Sequence, residues 1–405
     1  MHGSATDKER VGESVVSHSE NQTEFDRRKL LVAAGLAPLA FSAGRVFAQE
    51  SRGQPLPQGA ILPEPPGNQM RWAIVGLGSF AIGQVIPGFG DAQRSRMTAF
   101  VSGNPDKARD LGARFGVSDL YGYDNFDDIA RNDEIDCVYI VLPVGLHAEY
   151  TIRALKAGKH VLCEKPMAST SAECEAMVAA AQANDRQLGV AYRVHFEPTN
   201  LEAERRIKAG EIGTIRHVQC DHGFNANPQF PPHKWRLEKK LAGGGSMFDI
   251  GIYGLNTSLM MTDGDAPVEV SAVYSYPRDD TRFAEVEGGI DWRLRLASGI
   301  SVQGSSSYCY TPYISRQRYF GSQASIEMQP ATTYDDNNLI LDGNARIEVG
   351  AGNPLGQFAA QIDGFSDAAR ANTPHRTTGE MGLRDLRLIE AMYRSADAGG
   401  AVVKL

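Results

Sequence analysis

Between residues 71 and 192 the chain alternates short apolar runs with longer amphipathic ones. Arg71-Trp72-Ala73-Ile74-Val75, Met97 to Val101, Ile135 to Leu142, His160 to Cys163 and Leu188 to Tyr192 are of strand length and rich in β-branched and aromatic residues. Their apolar residues are consecutive rather than alternate, the pattern of strands buried on both faces of a parallel sheet. The stretches between them, toward Phe89, through Ala157-Gly158 and ahead of Leu188, read as helices. Repeated strand–helix units with crossovers predict a Rossmann-type, doubly wound parallel sheet, with ligands bound off the C-terminal ends of its strands.

The pattern changes after Arg193. A helix is expected over Glu197 to Ala209, a strand over Thr214 to Cys220 and a helix from Ser246 to Met261. Strands then follow at Val268 to Tyr276, Glu285 to Leu296, Ile300 to Ser306 and Arg316 to Phe320. Turn residues such as Ala297-Ser298-Gly299 favour antiparallel pairing there. The fold class is therefore α/β: an N-terminal Rossmann domain over 71–193 and a C-terminal α+β domain over 194–405. A chain of 405 residues accommodates two such domains.

Ahead of the first strand, Arg27-Arg28-Lys29 opens an apolar stretch from Leu30 to Ala43, and Val46-Phe47-Ala48 is a small-residue cleavage site. The stretch is shorter than the ~20 residues needed to span a bilayer, so no stable membrane anchor is expected. Paired arginines before a modest apolar core resemble a twin-arginine signal, which predicts export through the twin-arginine machinery to the periplasm and cleavage after Ala48. Residues 49–70 are too proline-rich for helix or central strand. Two readings of this arm stand: a linker left by the leader, or a strap over a neighbouring subunit or a cofactor. The net charge of −8 excludes a basic nucleic-acid surface. Five cysteines without a C-x-x-C pair read as core thiols, and no metal site is expected.

Chemistry enters at the first strand end. Gly76-Leu77-Gly78-Ser79-Phe80-Ala81 lies between a strand and a helix. Gly76 permits the tight turn, Gly78 lets backbone approach a pyrophosphate, and Ala81 keeps helix and strand close, with Ser79 at the helix start. An NAD enzyme places a carboxylate at the end of the next strand, where it would repel a 2′-phosphate. Here that end reads Ser102-Gly103-Asn104-Pro105-Asp106-Lys107. Ser102 and Asn104 offer hydrogen bonds and Lys107 a positive charge, so NADP is favoured. Pro143 and His147, past the third long strand, and Glu164, at the end of the next, join the candidate cofactor-binding set by their places at strand ends.

Two further motifs carry a resemblance. Glu164-Lys165-Pro166 follows a Rossmann strand, and Gly243-Gly244-Gly245-Ser246-Met247-Phe248-Asp249-Ile250-Gly251-Ile252-Tyr253 comes later. Over about residues 71 to 400 the chain resembles the Gfo/Idh/MocA oxidoreductase family. Tyr253 stands where most members have His. With Ser102-Gly103-Asn104, the leader and the arm, it is similar to the glucose-fructose oxidoreductase branch. The resemblance implies that Lys165, Asp249 and Tyr253 form the catalytic site. It also implies that Arg193, Trp235 and Arg236 contact the cofactor, and that the open, mainly antiparallel second sheet builds a homo-oligomer, dimer or tetramer.

Oxidising a sugar hydroxyl needs a base for its proton while hydride leaves the same carbon. Tyr253 is the candidate, with Lys165 as the cation expected to stabilise its phenolate. Asp249, four residues earlier, shares its face if the helix is continuous, where it would bind a sugar hydroxyl or orient Lys165. His195 reads equally as a structural residue or a substrate contact, and His233 and Lys234 as loop residues. An exported enzyme has no free NADP to exchange with, so tightly bound NADP, an aldose oxidised to its lactone and a second sugar reduced to an alditol are expected. The alternatives are an NAD(P)-dependent glycosidase of the same superfamily and a non-catalytic NADP-binding protein.

Overall fold

A computed structural model describes residues 67–349, 353 and 355–405. The predicted leader and the arm up to residue 66 lie outside these residues, and Met70, expected in the arm, opens the first strand. The first sheet has six parallel strands: β1 (Met70–Val75), β2 (Ser95–Val101), β3 (Asp119–Tyr121), β4 (Cys137–Ile140), β5 (His160–Glu164) and β6 (Leu188–Ala191). Their order, β3-β2-β1-β4-β5-β6, reverses between β1 and β4. Between them run α1 (Ile86–Asp91), entered through a π turn at Ala81–Val85, then α2 (Pro105–Phe115), α3 (His147–Lys156) and α4 (Ser171–Ala183). Local chemistry sets their ends. Asn104 caps α2 by accepting from the Lys107 amide, and Gly116 closes it at φ 70°. Thr170 and Glu173 form a capping box on α4.

Residues of β1 alternate between two cores. Trp72 and Ile74 pack with α1, α2 and Phe365, whereas Ala73 and Val75 pack on the side of α3 and α4. Each face needs one more helix than the βα units supply, and the end of the chain provides both. Helix α5 (Pro198–Lys208) and α6 (Ile252–Met261) come first; α7 (Gly356–Ala371) and α8 (Gly379–Asp397) then return to the first sheet. Ile362, Phe365 and Ala369 of α7 complete the Trp72 core, where the Trp72 indole N–H donates to Ser366 Oγ at 3.1 Å. Leu386 and Ile389 of α8 complete the other. Sequence reading left 356–397 without helices.

The second sheet has nine strands: β7 (Ile215–Asn225), β8 (Pro267–Tyr274), β9 (Gly289–Leu296), β10 (Ser301–Ser307), β11 (Cys309–Gly321), β12 (Ser325–Met328), β13 (Leu339–Leu341), β14 (Ala345–Ile347) and β15 (Val403–Lys404). The order is β14-β13-β12-β11-β7-β10-β9-β8-β15. Pairing is antiparallel except between β7 and β10, so the sheet is mixed and mainly antiparallel. Val218, Cys220, Ala272 and Trp292 face the helices and share a core with the first sheet. β9 is shorter than expected, because Glu285 to Gly288 form the loop that carries Glu287 to the next site.

Candidate functional site

At the strand-order reversal the chain leaves the paired strands β1 and β4 toward opposite faces of the sheet, the place where ligands bind off strand C-termini in such folds. Gly76 turns there at φ 96°, and a Cβ on it would lie 2.4 Å from the Val141 carbonyl. Only glycine fits. A Cβ on Gly78 would meet nothing within 4 Å, so backbone is open to approach at the point where the helix starts, at Ser79. Ala81 is fully buried against the sheet. At the end of β2, Ser102 Oγ accepts from the Asn104 amide at 3.1 Å. Lys107 Nζ donates to the Leu77 carbonyl at 3.3 Å, so the lysine ties the β2 end to the glycine turn. Gly103 packs against the Tyr123 ring. Glycine cradle, helix start, hydroxyl, amide and ammonium fit a dinucleotide with a 2′-phosphate.

Pro143 and His147 lie past the end of β4. Pro143 opens a short turn (Val144–Leu146) into α3. His147 is buried, with Nδ1 2.9 Å from the Pro166 carbonyl and Nε2 2.8 Å from the Leu142 carbonyl. It is a strut between the ends of β4 and β5, and burial lowers its pKa.

Lys165, just past β5, lies against the start of the helix that carries Asp249 and Tyr253. That helix is not regular. A π turn spans Met247–Gly251 before α6 begins. The π turn holds Asp249 and the α-helix after it holds Tyr253, and both residues reach Lys165. Lys165 Nζ donates to the Asp249 main-chain carbonyl and lies 3.8 Å from Asp249 Oδ1 and 4.5 Å from the Tyr253 ring centroid. Asp249 Oδ2 accepts from Arg236 Nε at 2.8 Å and from the Tyr308 hydroxyl at 3.2 Å. Burial raises the Asp249 carboxyl, but Arg236 and Lys165 together hold it below the usual range. Burial lowers the Lys165 ammonium against the opposing pull of Asp249 and Glu164. Arg236, expected on the cofactor, is thus a partner of Asp249, with its guanidinium over the Trp235 ring. His233 lies in a short helical turn, Pro231–Lys234, and accepts from the Asn227 amide.

Tyr253 corrects one expectation. Its phenol is raised above 10.0, because burial outweighs the attraction of Arg193, the largest opposing influence. Lys165 sits over the ring face, and Arg193 is the cation that counts at the hydroxyl. Arg193 is itself clamped. Its guanidinium donates to the Thr332 carbonyl at 2.6 Å, the Thr333 carbonyl at 3.2 Å and Gln357 Oε1 at 2.6 Å, and lies between the rings of Tyr253 (5.1 Å) and Tyr334 (4.5 Å). Glu164 Oε1 accepts from the Tyr139 hydroxyl at 2.8 Å, and burial pushes its carboxyl up to about 7 despite Tyr139 and Lys165.

Several partners escaped sequence reading. Glu287 accepts from the Gly245 amide at 2.7 Å and the Met247 amide at 2.8 Å, so a carboxylate from the loop before β9 caps the glycine turn. A Cβ on Gly245 would fall 1.9 Å from the Glu287 carbonyl, which accounts for that glycine. Tyr308, Tyr334, Gln357 and Glu287 stand alone in sequence with no motif around them. Loops that join strands of the second sheet bring in the first two and the last, and α7 brings in Gln357.

Comparison with known proteins agrees with this geometry. Residues 70–192 match the oxidoreductase family with an NAD-binding Rossmann fold, and residues 200–327 match the GFO/IDH/MocA C-terminal domain. The chain is 31% identical over 344 residues to D-xylose 1-dehydrogenase [NADP(+)] of Haloarcula marismortui, covering 83% of this chain and 93% of that protein. The structure of aldose-aldose oxidoreductase from Caulobacter crescentus with glycerol is similar at 41% identity and TM-score 0.79, over 83% of this chain and 100% of that one. A 3-ketoreductase of Actinomadura kijaniata, solved with NADP and TDP-benzene, is similar at 25% identity and TM-score 0.71, over 81% and 98%.

Proposed function

The chain belongs to the Gfo/Idh/MocA oxidoreductase family, and from that premise we propose that it is an NADP-dependent sugar oxidoreductase that keeps its cofactor and couples two half-reactions. An aldose is oxidised to its lactone, and a second sugar is reduced to an alditol. The observation that carries this reading is the convergence of Lys165, Asp249 and Tyr253. Likeness to an NADP-dependent xylose dehydrogenase and an aldose-aldose oxidoreductase supports the sugar as substrate.

The Gly76–Ser79 turn would hold the pyrophosphate, and Ser102, Asn104 and Lys107 the 2′-phosphate. NADP supplies the hydride acceptor and, once reduced, the donor. Tyr253 takes the proton of the sugar hydroxyl as the aldose is oxidised and returns one to the sugar carbonyl as the second substrate is reduced. Its raised pKa suits the second task directly, since the phenol holds its proton at neutral pH. Arg193 limits that rise and so reduces the cost of the phenolate that the first task requires. Asp249, ionised between Lys165 and Arg236, accepts a hydrogen bond from a sugar hydroxyl and fixes the ring.

Retention of NADP and residence in the periplasm form one proposal. Its support is the twin-arginine pattern at Arg27-Arg28, in residues outside those described, since export takes the enzyme away from exchangeable NADP. Homo-oligomerisation is proposed through the second sheet. Its outward residues Gln219, Asp221, Val273, Arg293 and Gln303 line a groove of about 550 Å³. Initial rates with an aldose and a ketose varied together, without added cofactor, test the coupling. Parallel double-reciprocal lines are expected for the ping-pong order; intersecting lines, or turnover only with added NADP, would overturn it.

A further inference from the structure

Tyr253 is fixed at its ring by Lys165 and Arg193, but the helix beneath it is held by a carboxylate outside the site. Asp385, on α8, is fully buried. Its Oδ1 accepts from Arg384 Nε at 2.9 Å and Nη2 at 2.7 Å. Its Oδ2 accepts from the Tyr192 hydroxyl at 2.8 Å and from Asn256 Nδ2 at 2.8 Å. A carboxylate accepts about four hydrogen bonds, so Asp385 is saturated. Because it only accepts, the Asn256 amide must turn its NH₂ toward Asp385 and its oxygen the other way. That oxygen lies 2.7 Å from His195 Nε2, which therefore carries the hydrogen of this imidazole. His195 is thus a donor within this chain of bonds.

The two groups on Oδ2 belong to the two segments that define the Tyr253 environment. Asn256 is one helical turn beyond Tyr253 on α6, and Tyr192 directly precedes Arg193, the cation facing the Tyr253 phenol. The start of this helix is already fixed by Glu287 through the Gly245 and Met247 amides. Asp385 supplies the second anchor, on the far side of Tyr253.

We propose that Asp385 is a positioning residue for proton transfer: by holding Asn256 and Tyr192 on one oxygen, it sets the placement of the Tyr253 hydroxyl relative to Arg193. The proposal rests on the assignment of Tyr253 as the group that exchanges the sugar proton. Small displacements of a reacting group are enough to slow a reaction ~100-fold. Asp385→Asn puts an amide where Tyr192 and Asn256 both present hydrogens. The contact with position 256 can be restored by exchanging the two residues, since Asp385→Asn with Asn256→Asp returns one donor and one acceptor to it and keeps an acceptor facing the His195 Nε2 hydrogen.

The test uses the full-length protein with its cofactor and an aldose deuterated at C1. Asp385→Asn is expected to lower kcat by roughly 10- to 100-fold while the sugar KM and the NADP content change by less than about threefold. The deuterium isotope effect on kcat should rise, because hydride transfer becomes the slow step. The double exchange should recover most of the lost rate. A variant that loses activity only in proportion to its folded fraction, with the isotope effect unchanged, would overturn the proposal, as would a double exchange no faster than Asp385→Asn alone. If the wild-type protein oxidises no sugar, the functional reading fails first. Coupling between the two substitutions in melting temperature alone would then reduce Asp385 to a structural lock.

Discussion

At Tyr253 burial and charge oppose each other. Burial raises the phenol, Arg193 offsets part of the rise, and Lys165 lies over the ring with its hydrogen bond spent on the helix backbone. Tyr253→Phe removes the exchangeable proton and keeps the ring that Lys165 and Arg193 pack on. Turnover is expected to fall by ~10²- to 10⁴-fold with NADP still bound, read as rate against cofactor content. Glu164 gives a pH signature. Its pKa rises from 4.5 to about 7 on folding, so the folded state binds this proton more tightly than the unfolded chain. The resulting stability is fully present below pH 4.5 and is lost as pH rises through about 7. Melting curves across that window should show the wild type losing stability relative to Glu164→Gln; a constant difference would contradict the assignment. Lys165, Asp249 and Tyr253 were legible because each sits in a short motif. The roles of Arg193 and Arg236 were not, since a guanidinium is read by what it touches, and Thr332, Gln357 and Asp249 lie far from them in sequence.

At the scale of elements, the helix bearing Asp249 and Tyr253 shows where sequence reading stops. Its span from Ser246 to Met261 was legible from apolar spacing, yet the π turn at Met247–Gly251 was not, because both helix types suit the same residues. The carboxylate at its start arrives from the loop before β9, forty-two positions from Gly245. Glu287→Gln leaves one of the two amides facing an NH₂ group. A loss of about 1–3 kcal/mol is expected in urea unfolding, with a larger drop in kcat than in NADP binding, because Asp249 lies in the first turn. Equal stability of variant and wild type would mean that water replaces the cap. The parallel strands β1, β2 and β4 to β6 were legible from continuous apolar runs. β3 and β12 to β15 are three- or four-residue strands or shorter, below the length at which a pattern declares itself. Helices α7 and α8 were missed although Phe358, Ile362, Phe365 and Ala369 recur at helical spacing.

Among the described residues, one core joins both sheets and is closed by α8, while α7 closes the second core on the other face of the first sheet. The candidate cofactor site, the Tyr253 cluster and the Asp385 anchor are therefore built from segments as distant as Gly76 and Asp385, on a single framework. The direct test is the absorbance spectrum of the purified protein, without added cofactor, before and after one aldose is supplied and again after a second sugar follows. The reduced-nicotinamide band is expected to appear with the first sugar, to disappear with the second, and to do neither in Tyr253→Phe. A protein that carries no nicotinamide, or whose spectrum does not respond to any aldose, would contradict it.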